Sequence, residues 1–245
     1  MRLIDEIQCG NIICGVAKNK VDIEAAEKLR YDMLLMDFNT ENTNTNATDK
    51  SEYDDICEHL IAIDTDTNEV VGTYRVLASN KLPKGKMWVT EHEFDISNLR
   101  NCGEGIVELS RAVVHTDYRN GSVIKMLWKA LFNYAVKYNI RYLFGTASYH
   151  GVDKSKYTNS FAWLNDKYLV DDALSCSPIE HTVAFGNSYD LEKAKDETPS
   201  LIKGYLAMGS KVTKGAYIDY EFGSIDVLTI LDLKNVSRVF ERIIK

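Results

Sequence analysis

The chain has 245 residues and is 45% hydrophobic, so it can bury a sizeable core as one large domain or two small ones. Its net charge of −7 argues against general nucleic-acid binding, because contacts to phosphates need clustered lysine and arginine. Since no apolar run is long enough to span a membrane and the first residues lack the apolar core of a signal peptide, we expect a cytoplasmic protein.

Apolar periodicity predicts strands and helices along the whole chain. In chain order, we predict a strand at 11–17, a helix at 22–36 capped by Asp22, a mobile loop at 39–52, strands at 59–64, 70–78 and 104–114, a helix at 121–138, a strand at 141–147, a helix at 158–169, a strand at 182–185, a helix at 200–208, strands at 216–222 and 225–231, and a C-terminal helix within 234–245 capped by Asn235. The asparagine- and threonine-rich loop either covers a site or is a tolerated surface insertion. A strand, a helix and a strand over 104–147 imply a parallel pair joined by a right-handed crossover. With no repeat and no clear boundary, we expect one mixed α/β domain over residues 1–245.

Polar side chains interrupt the otherwise apolar strand at 104–114. Glu108, Ser110 and Arg111 lie in its middle, and burying unpaired charge costs several kcal/mol. On a flat strand Glu108 and Arg111 would point to opposite faces, whereas a β-bulge between them would bring both to one polar cleft. The alternative is a buried Glu–Arg pair that only stabilises the strand.

Glu58 and His59 begin the predicted strand at 59–64. Histidine is the usual general base near neutral pH, which makes this pair a candidate for catalysis. The alternative is a buried histidine whose ring is satisfied by structural hydrogen bonds.

Two arginines occur among apolar residues and are candidates for binding a substrate. Arg75 could hold a carboxylate with two parallel hydrogen bonds. Its alternative role is to pair with Asp54 or Asp55. Arg30, on the first helix, carries the same ambiguity and favours the structural role.

The turn after the strand at 104–114 leads directly into a helix, where backbone N–H groups can bind an anion. Arg119 in this turn is the candidate for a phosphate, and Lys125 and Lys129 on the helix could dock an acidic protein. The alternative for both lysines is a solvated helix face. Ser148 and His150 follow a predicted strand end, where ligand contacts are common in open α/β sheets, although a turn role fits them equally well.

Seven short motifs occur in order along the chain: Cys57-Glu-His59-Leu60, Gly72-Thr-Tyr-Arg75-Val-Leu, Glu108-Leu-Ser-Arg111, Asp117-Tyr-Arg119, Leu127-Trp128, Phe144-Gly-Thr-Ala-Ser148 and Leu201-Ile-Lys203-Gly204-Tyr205-Leu-Ala-Met-Gly209. Over residues 10–232 they resemble the ornithine-lipid-type N-acyltransferases, a branch of the GNAT superfamily sometimes labelled hemolysin-like. The resemblance implies an α/β (α+β) fold with a mixed, mostly antiparallel sheet, a splayed parallel strand pair and flanking helices.

A more distant similarity is to the acyl-homoserine-lactone synthases. They share an early helical arginine, matched here by Arg30, and the pairs Gly72 to Arg75 and Glu108 to Arg111. Ala112 stands where those enzymes tend to carry an aromatic residue, which weakens the prediction of a signal-molecule synthase.

The resemblance implies that a long, often 3-hydroxylated acyl chain is transferred from acyl carrier protein to the α-amine of an amino acid. Ornithine is the expected acceptor and glycine the other option, and the reaction would belong to lipid biosynthesis. Glu108 is then the first candidate to deprotonate or orient the amine. The donor's phosphopantetheine would lie between strands that end at Val114 and Ala147, with its amides paired to backbone near Val113, Val114 and His115.

The family's usual phosphate loop is degraded here, because Arg119-Asn-Gly121 has an arginine and one misplaced glycine. A carrier protein with a single phosphodiester fits this loop better than acyl-CoA, which stays as the alternative donor.

The resemblance implies neither a metal nor a tightly bound cofactor, and the five cysteines lack the CxxC spacing of a metal site. The amphiphilic product could draw the enzyme to the inner membrane surface. Alternative functions are a lactone-type signal synthase, an acyl-CoA-dependent small-molecule N-acyltransferase and a non-enzymatic lipid-binding protein.

Overall fold

The computed structural model describes residues 1–38 and 47–244. Its strands in chain order are β1 (Ile4–Cys9), β2 (Ile12–Val16), β3 (Glu58–Asp64), β4 (Glu69–Ala78), β5 (Phe94–Asp95), β6 (Gly105–Val114), β7 (Ile140–His150), β8 (Ser177–Pro178), β9 (Thr182–Val183), β10 (Lys211–Val212), β11 (Ala216–Asp219) and β12 (Ser224–Asp232). Its helices are α1 (Lys20–Phe38), α2 (Ser97–Arg100), α3 (Ser122–Lys137), α4 (Thr158–Lys167), α5 (Leu191–Glu197), α6 (Ser200–Met208) and α7 (Arg238–Ile244).

The chain divides into two compact units, and strand β6 contributes residues to both. The first unit contains Met1–Lys84 and Leu109–Ile140, with the strand order β1-β2-β3-β4-β6. Hairpin β3–β4 pairs His59 with Arg75 and Ile61 with Thr73. Because side chains alternate along a strand, this register places His59 and Arg75 on one face of the sheet.

Helix α3 packs its apolar stripe directly on this sheet. Val123, Leu127 and Leu131 are buried, and the stripe approaches β4 at Gly72. A Cβ atom at Gly72 would lie 2.7 Å from Cγ1 of Val123, so only glycine fits beneath the helix without displacement.

The second unit contains Gly85–Glu108 and Arg141–Arg242 and has the strand order β6-β7-β12-β11-β9. The long antiparallel pair β7–β12 forms its centre, and Ser148 lies opposite Asp226 in the register. Its core joins the inner faces of these strands to α4 and α6 through Phe161, Leu164 and Ile202. A separate two-stranded sheet pairs β5 with β8.

The predicted fold class is confirmed: within the described residues the sheet is mixed and mostly antiparallel, with one parallel pair and flanking helices. The β3–β4 hairpin and helices α3, α4 and α6 lie where the periodicity predicts them.

No helix of the described ranges combines the length and apolar character needed to cross a membrane. Of the predicted mobile loop at 39–52, residues 39–46 lie outside the described residues, and 47–52 form an irregular segment and the start of a turn.

Several predicted boundaries are wrong. Helix α1 begins at Lys20, and the residue that caps it is Asn19 rather than Asp22. The Asn19 side-chain oxygen accepts the N–H of Asp22, the third residue of the helix, at 2.9 Å. Similarly, α7 begins at Arg238, and the Ser237 hydroxyl, rather than Asn235, accepts the N–H of Phe240 at 3.2 Å.

Strand β1 was not predicted. Its side chains are exposed or half-buried, and a register shift falls between Ile4 and Ile7. Both features remove the alternation of polar and apolar residues on which strand prediction depends.

Candidate active site

A cluster of buried charges lies in the first unit, centred on the Asp54 carboxylate. Arg30 Nη2 donates to Asp54 Oδ1 at 2.7 Å, and Arg75 Nη1 lies 3.2 Å from Oδ2. The two guanidinium groups and the carboxylate are almost fully buried. Burial opposes ionisation of Asp54, but both arginines and the Ser51 N–H outweigh it and hold the pKa of Asp54 below its usual value. The carboxylate is therefore charged at neutral pH and fixes both arginines.

Two serines and a second aspartate extend this cluster. Arg75 donates from Nε to the Ser110 hydroxyl at 2.9 Å and from Nη1 to the Ser51 hydroxyl at 2.7 Å. Asp49 Oδ2 accepts from Arg30 Nε at 2.8 Å and from Arg111 Nε at 3.1 Å. Four of the five predicted substrate-binding residues, all but Ser148, thus meet around two aspartates.

Arg75 and Arg111 belong to the same network of ion pairs: Arg75 pairs with Asp54, Arg111 pairs with Asp49, and Arg30 binds both aspartates. Burial lowers the pKa of the Arg75 guanidinium, and the neighbouring Arg111 charge lowers it further. Arg111 is about one-third exposed, whereas Arg75 is buried. Two guanidinium groups in one network repel each other and together favour a bound anion such as a carboxylate.

Arg111 also has an unusual backbone. Its φ is +54°, a left-handed backbone conformation that residues other than glycine rarely adopt. The sequence left open whether β6 is flat or bulged between Glu108 and Arg111, and the irregular backbone found here lies at Arg111 itself.

The His59 ring is buried in the same cluster. Its Nε2 lies 3.2 Å from the Asp54 carbonyl oxygen, which can only accept, and its Nδ1 lies 3.5 Å from Arg30 Nη1, which can only donate. The ring is therefore neutral with the proton on Nε2. Burial lowers the pKa of His59, which keeps the ring neutral at pH 7. These contacts fit the structural alternative better than a role as general base.

Glu58 lies outside the cluster, because neighbouring residues of a strand point to opposite faces. Its carboxylate accepts the Tyr134 hydroxyl and forms an ion pair with Lys81 at 2.7 Å. The structure therefore does not bring the predicted catalytic residues Glu58 and His59 together.

Glu108 belongs to the second unit and is 2% exposed. Its carboxylate accepts the N–H groups of Val89 at 3.2 Å and Thr90 at 2.7 Å, at the start of a short 3-10 helix. Two backbone hydrogen bonds stabilise a buried carboxylate and fix its orientation. The strand pattern predicted that Glu108 finds partners or lines a polar cleft, but it gave no indication that the partners are these backbone N–H groups.

The predicted donor-binding segment follows at the end of β6. Val113 is buried, the Val114 carbonyl accepts from Arg119 Nε at 2.9 Å, and the His115 N–H donates to the Val71 carbonyl at 2.9 Å. The following turn is tied to the β3–β4 hairpin, because the Tyr118 hydroxyl donates to Asp64 at 2.8 Å. Lys125 is exposed on α3.

Ser148 and His150 lie inside β7 rather than after it, which corrects their predicted position. Pairing with β12 continues as far as His150, so the strand is three residues longer than its apolar pattern indicates. Their placement in a paired strand also removes the turn role that the sequence left open.

One group of carboxylates in the described ranges could hold a cation. Oxygen atoms of Glu93, Asp219 and Asp226 lie within 4.8 Å of one another. Acidic groups of this kind are common without an ion, and the predicted absence of a metal stays a prediction.

Residues 29–129 match the family model of the acetyltransferase (GNAT) domain. Two solved structures, each less than 25% identical, share the fold: FeeM, an N-acyl amino acid synthase from uncultured soil microbes (TM-score 0.53, 8% identity, covering 91% of this chain and 92% of that one), and the AHL synthase LasI (TM-score 0.53, 13% identity, covering 91% and 90%).

Curated relatives match nearly the whole length. An L-ornithine N(alpha)-acyltransferase of Rhodobacter capsulatus is 31% identical over 91% of this chain and 90% of its own. A protein of the same name from Brucella abortus is 26% identical over 93% and 86%. The domain and the relatives define an N-acyltransferase of the GNAT type. Within that class, the chain belongs to the L-ornithine Nα-acyltransferase family, which confirms the resemblance found in the sequence motifs.

Proposed function

We propose that the protein transfers a long acyl chain from acyl carrier protein to the α-amine of ornithine. The guanidinium groups of Arg75 and Arg111, held in one network by Asp54, Asp49 and Arg30, carry this proposal, because they favour a carboxylate and every α-amino acid has one. The names of the curated relatives support ornithine as the acceptor.

In the proposed reaction, the ornithine carboxylate binds between Arg75 and Arg111. The neutral α-amine attacks the thioester carbonyl, a C–N bond forms and the C–S bond breaks. Glu108 accepts the amine proton, directly or through water, and the proton then passes to the departing pantetheine thiolate. The family resemblance makes Glu108 the candidate for this role, and two backbone hydrogen bonds fix the orientation of its carboxylate.

The choice of acyl carrier protein rests on the donor segment. Arg119 is held against the Val114 carbonyl at the turn before α3, where it could bind the single phosphodiester of a phosphopantetheine. Exposed Lys125, one turn into the helix, could bind an acidic carrier. Contact of the amphiphilic product with a membrane surface belongs to the same proposal.

Product analysis tests the reaction. The purified protein is incubated with 3-hydroxyacyl carrier protein or with the matching acyl-CoA, together with a pool of amino acids, and amides are identified by mass spectrometry. Nα-acyl ornithine formed from the carrier-protein donor is the expected product. Turnover with acyl-CoA alone would refute the carrier assignment, and acylated glycine alone would refute ornithine.

The carboxylate site is tested with Arg111→Gln. Loss of a charge-assisted hydrogen bond should raise the KM for ornithine by about 10- to 100-fold. Arg141→Gln is the matched control, because Arg141 is also partly exposed and is paired with acidic residues, Glu104 and Asp232, in the other unit. Equal KM values for both variants would contradict the assignment of Arg111.

A further inference from the structure

Ornithine carries two amines, and the relatives are named for acylation at the α-amine. An enzyme that acylates only this amine benefits from holding the side-chain amine as an ammonium ion, because a protonated amine is not a nucleophile. A buried ammonium needs an anionic partner. Under the proposed function, the acceptor site should therefore contain a carboxylate in addition to its arginines.

Glu27 is such a carboxylate. It lies on α1 one turn before Arg30, on the same helix face, and it is 5% exposed. Its backbone carbonyl accepts the N–H of Asp49 at 3.2 Å, which places this turn of the helix against the cluster of buried charges. Within residues 1–38 and 47–244, the Glu27 carboxylate accepts no hydrogen bond.

The neighbours of Glu27 do not provide the missing partner. Arg30 directs Nε to Asp49, Nη2 to Asp54 and the Asp49 carbonyl, and Nη1 towards His59, and none of these contacts is to Glu27. Burial raises the pKa of Glu27, and the negative charge of Asp54 raises it further, while Arg30 and Lys50 oppose both effects. An ammonium ion bound at this carboxylate would supply both a hydrogen-bond donor and a positive charge.

We propose that Glu27 binds the side-chain ammonium of the acceptor amino acid and so selects ornithine over amino acids with an apolar side chain. This inference rests on the proposed function. Arg75 and Arg111 would then hold the carboxylate end of ornithine and Glu27 its cationic end, which leaves the α-amine between them as the only nucleophile.

The test compares ornithine with norvaline, which differs from ornithine only in lacking the side-chain amine. Glu27→Gln should lower kcat/KM for ornithine by about 10- to 100-fold and leave kcat/KM for norvaline within about twofold. Glu24→Gln removes the same charge one turn earlier on α1, where Glu24 is exposed and paired with Lys20, and should change neither value.

The melting temperature separates binding from folding. Because the Glu27 carboxylate accepts no hydrogen bond from the described residues, Glu27→Gln should melt at the wild-type temperature or above it. An equal loss of activity with both amino acids, together with a lower melting temperature, would show that Glu27 is structural. Unchanged activity with ornithine would also overturn the inference. If the wild-type enzyme forms no amide with any amino acid, it is the proposed function that fails, which is a separate result.

Discussion

Removing the Asp54 carboxylate should destabilise the first unit severely. Asp54 accepts hydrogen bonds from Arg30, Arg75 and both the N–H and the hydroxyl of Ser51. In Asp54→Asn, two buried guanidinium groups lose their shared counter-charge, and breaking a buried ion pair in this way costs about 3–5 kcal/mol. For a chain of this size, 1 kcal/mol corresponds to about 2–4 °C, so the melting temperature should fall by roughly 6–20 °C.

The assay is thermal unfolding of the wild type, Asp54→Asn and Asp55→Asn. Asp55 is the matched control, because its side chain is 74% exposed and its ion pair with Lys50 spans 3.6 Å. Exposed pairs of this kind contribute at most about 1 kcal/mol. Since the pKa of Asp54 lies below its usual value, its contribution is complete at neutral pH and is lost only as the pH falls through that lowered pKa. Equal melting temperatures for the two variants at pH 7 would refute the importance of the cluster.

Three further predictions follow from individual residues. Gly72→Ala should lower the free energy of unfolding by about 1–3 kcal/mol, because its Cβ would lie 2.7 Å from Val123; an unchanged urea midpoint would contradict this packing. The pKa of His59 is lowered by burial, so its contribution to stability is complete above pH 6.5 and is lost as the pH falls; His59→Gln should therefore flatten the stability profile between pH 7 and 5, and parallel profiles would argue against a buried neutral ring. Glu108→Gln should reduce kcat by about 10²–10⁴-fold under the proposed mechanism, and an unchanged kcat at a temperature where the variant stays folded would exclude Glu108 as the base.

Local patterns predicted much of the fold. Helix α3 and the β3–β4 hairpin have clear periodicity, because each buries one continuous face, and both lie where they were expected. Edge strand β1 and the short strands lack a buried face of their own. They depend on contacts between distant parts of the chain, which periodicity does not reveal.

The candidate site was predicted only in part. The sequence offers Asp54 as a partner of Arg75, whereas Asp49 and Ser51 lie in an aperiodic segment that gives no signal. Glu27 could have been found: with Ile23, Arg30 and Leu34 it follows the i, i+4, i+7, i+11 spacing of one helix face. Charged residues within an apolar stripe indicate a buried polar cluster, whereas its geometry depends on the tertiary fold.

Because Arg111 has a left-handed backbone conformation, folding and the proposed binding of a carboxylate favour different residues at this position. A non-glycine residue at φ +54° costs about 1 kcal/mol or more, and glycine would relieve this strain. A library randomised at position 111 and selected only for folded protein should therefore enrich glycine and asparagine. The same library selected for amide formation should return arginine, so the two enrichment profiles would measure separately what this position contributes to folding and to turnover.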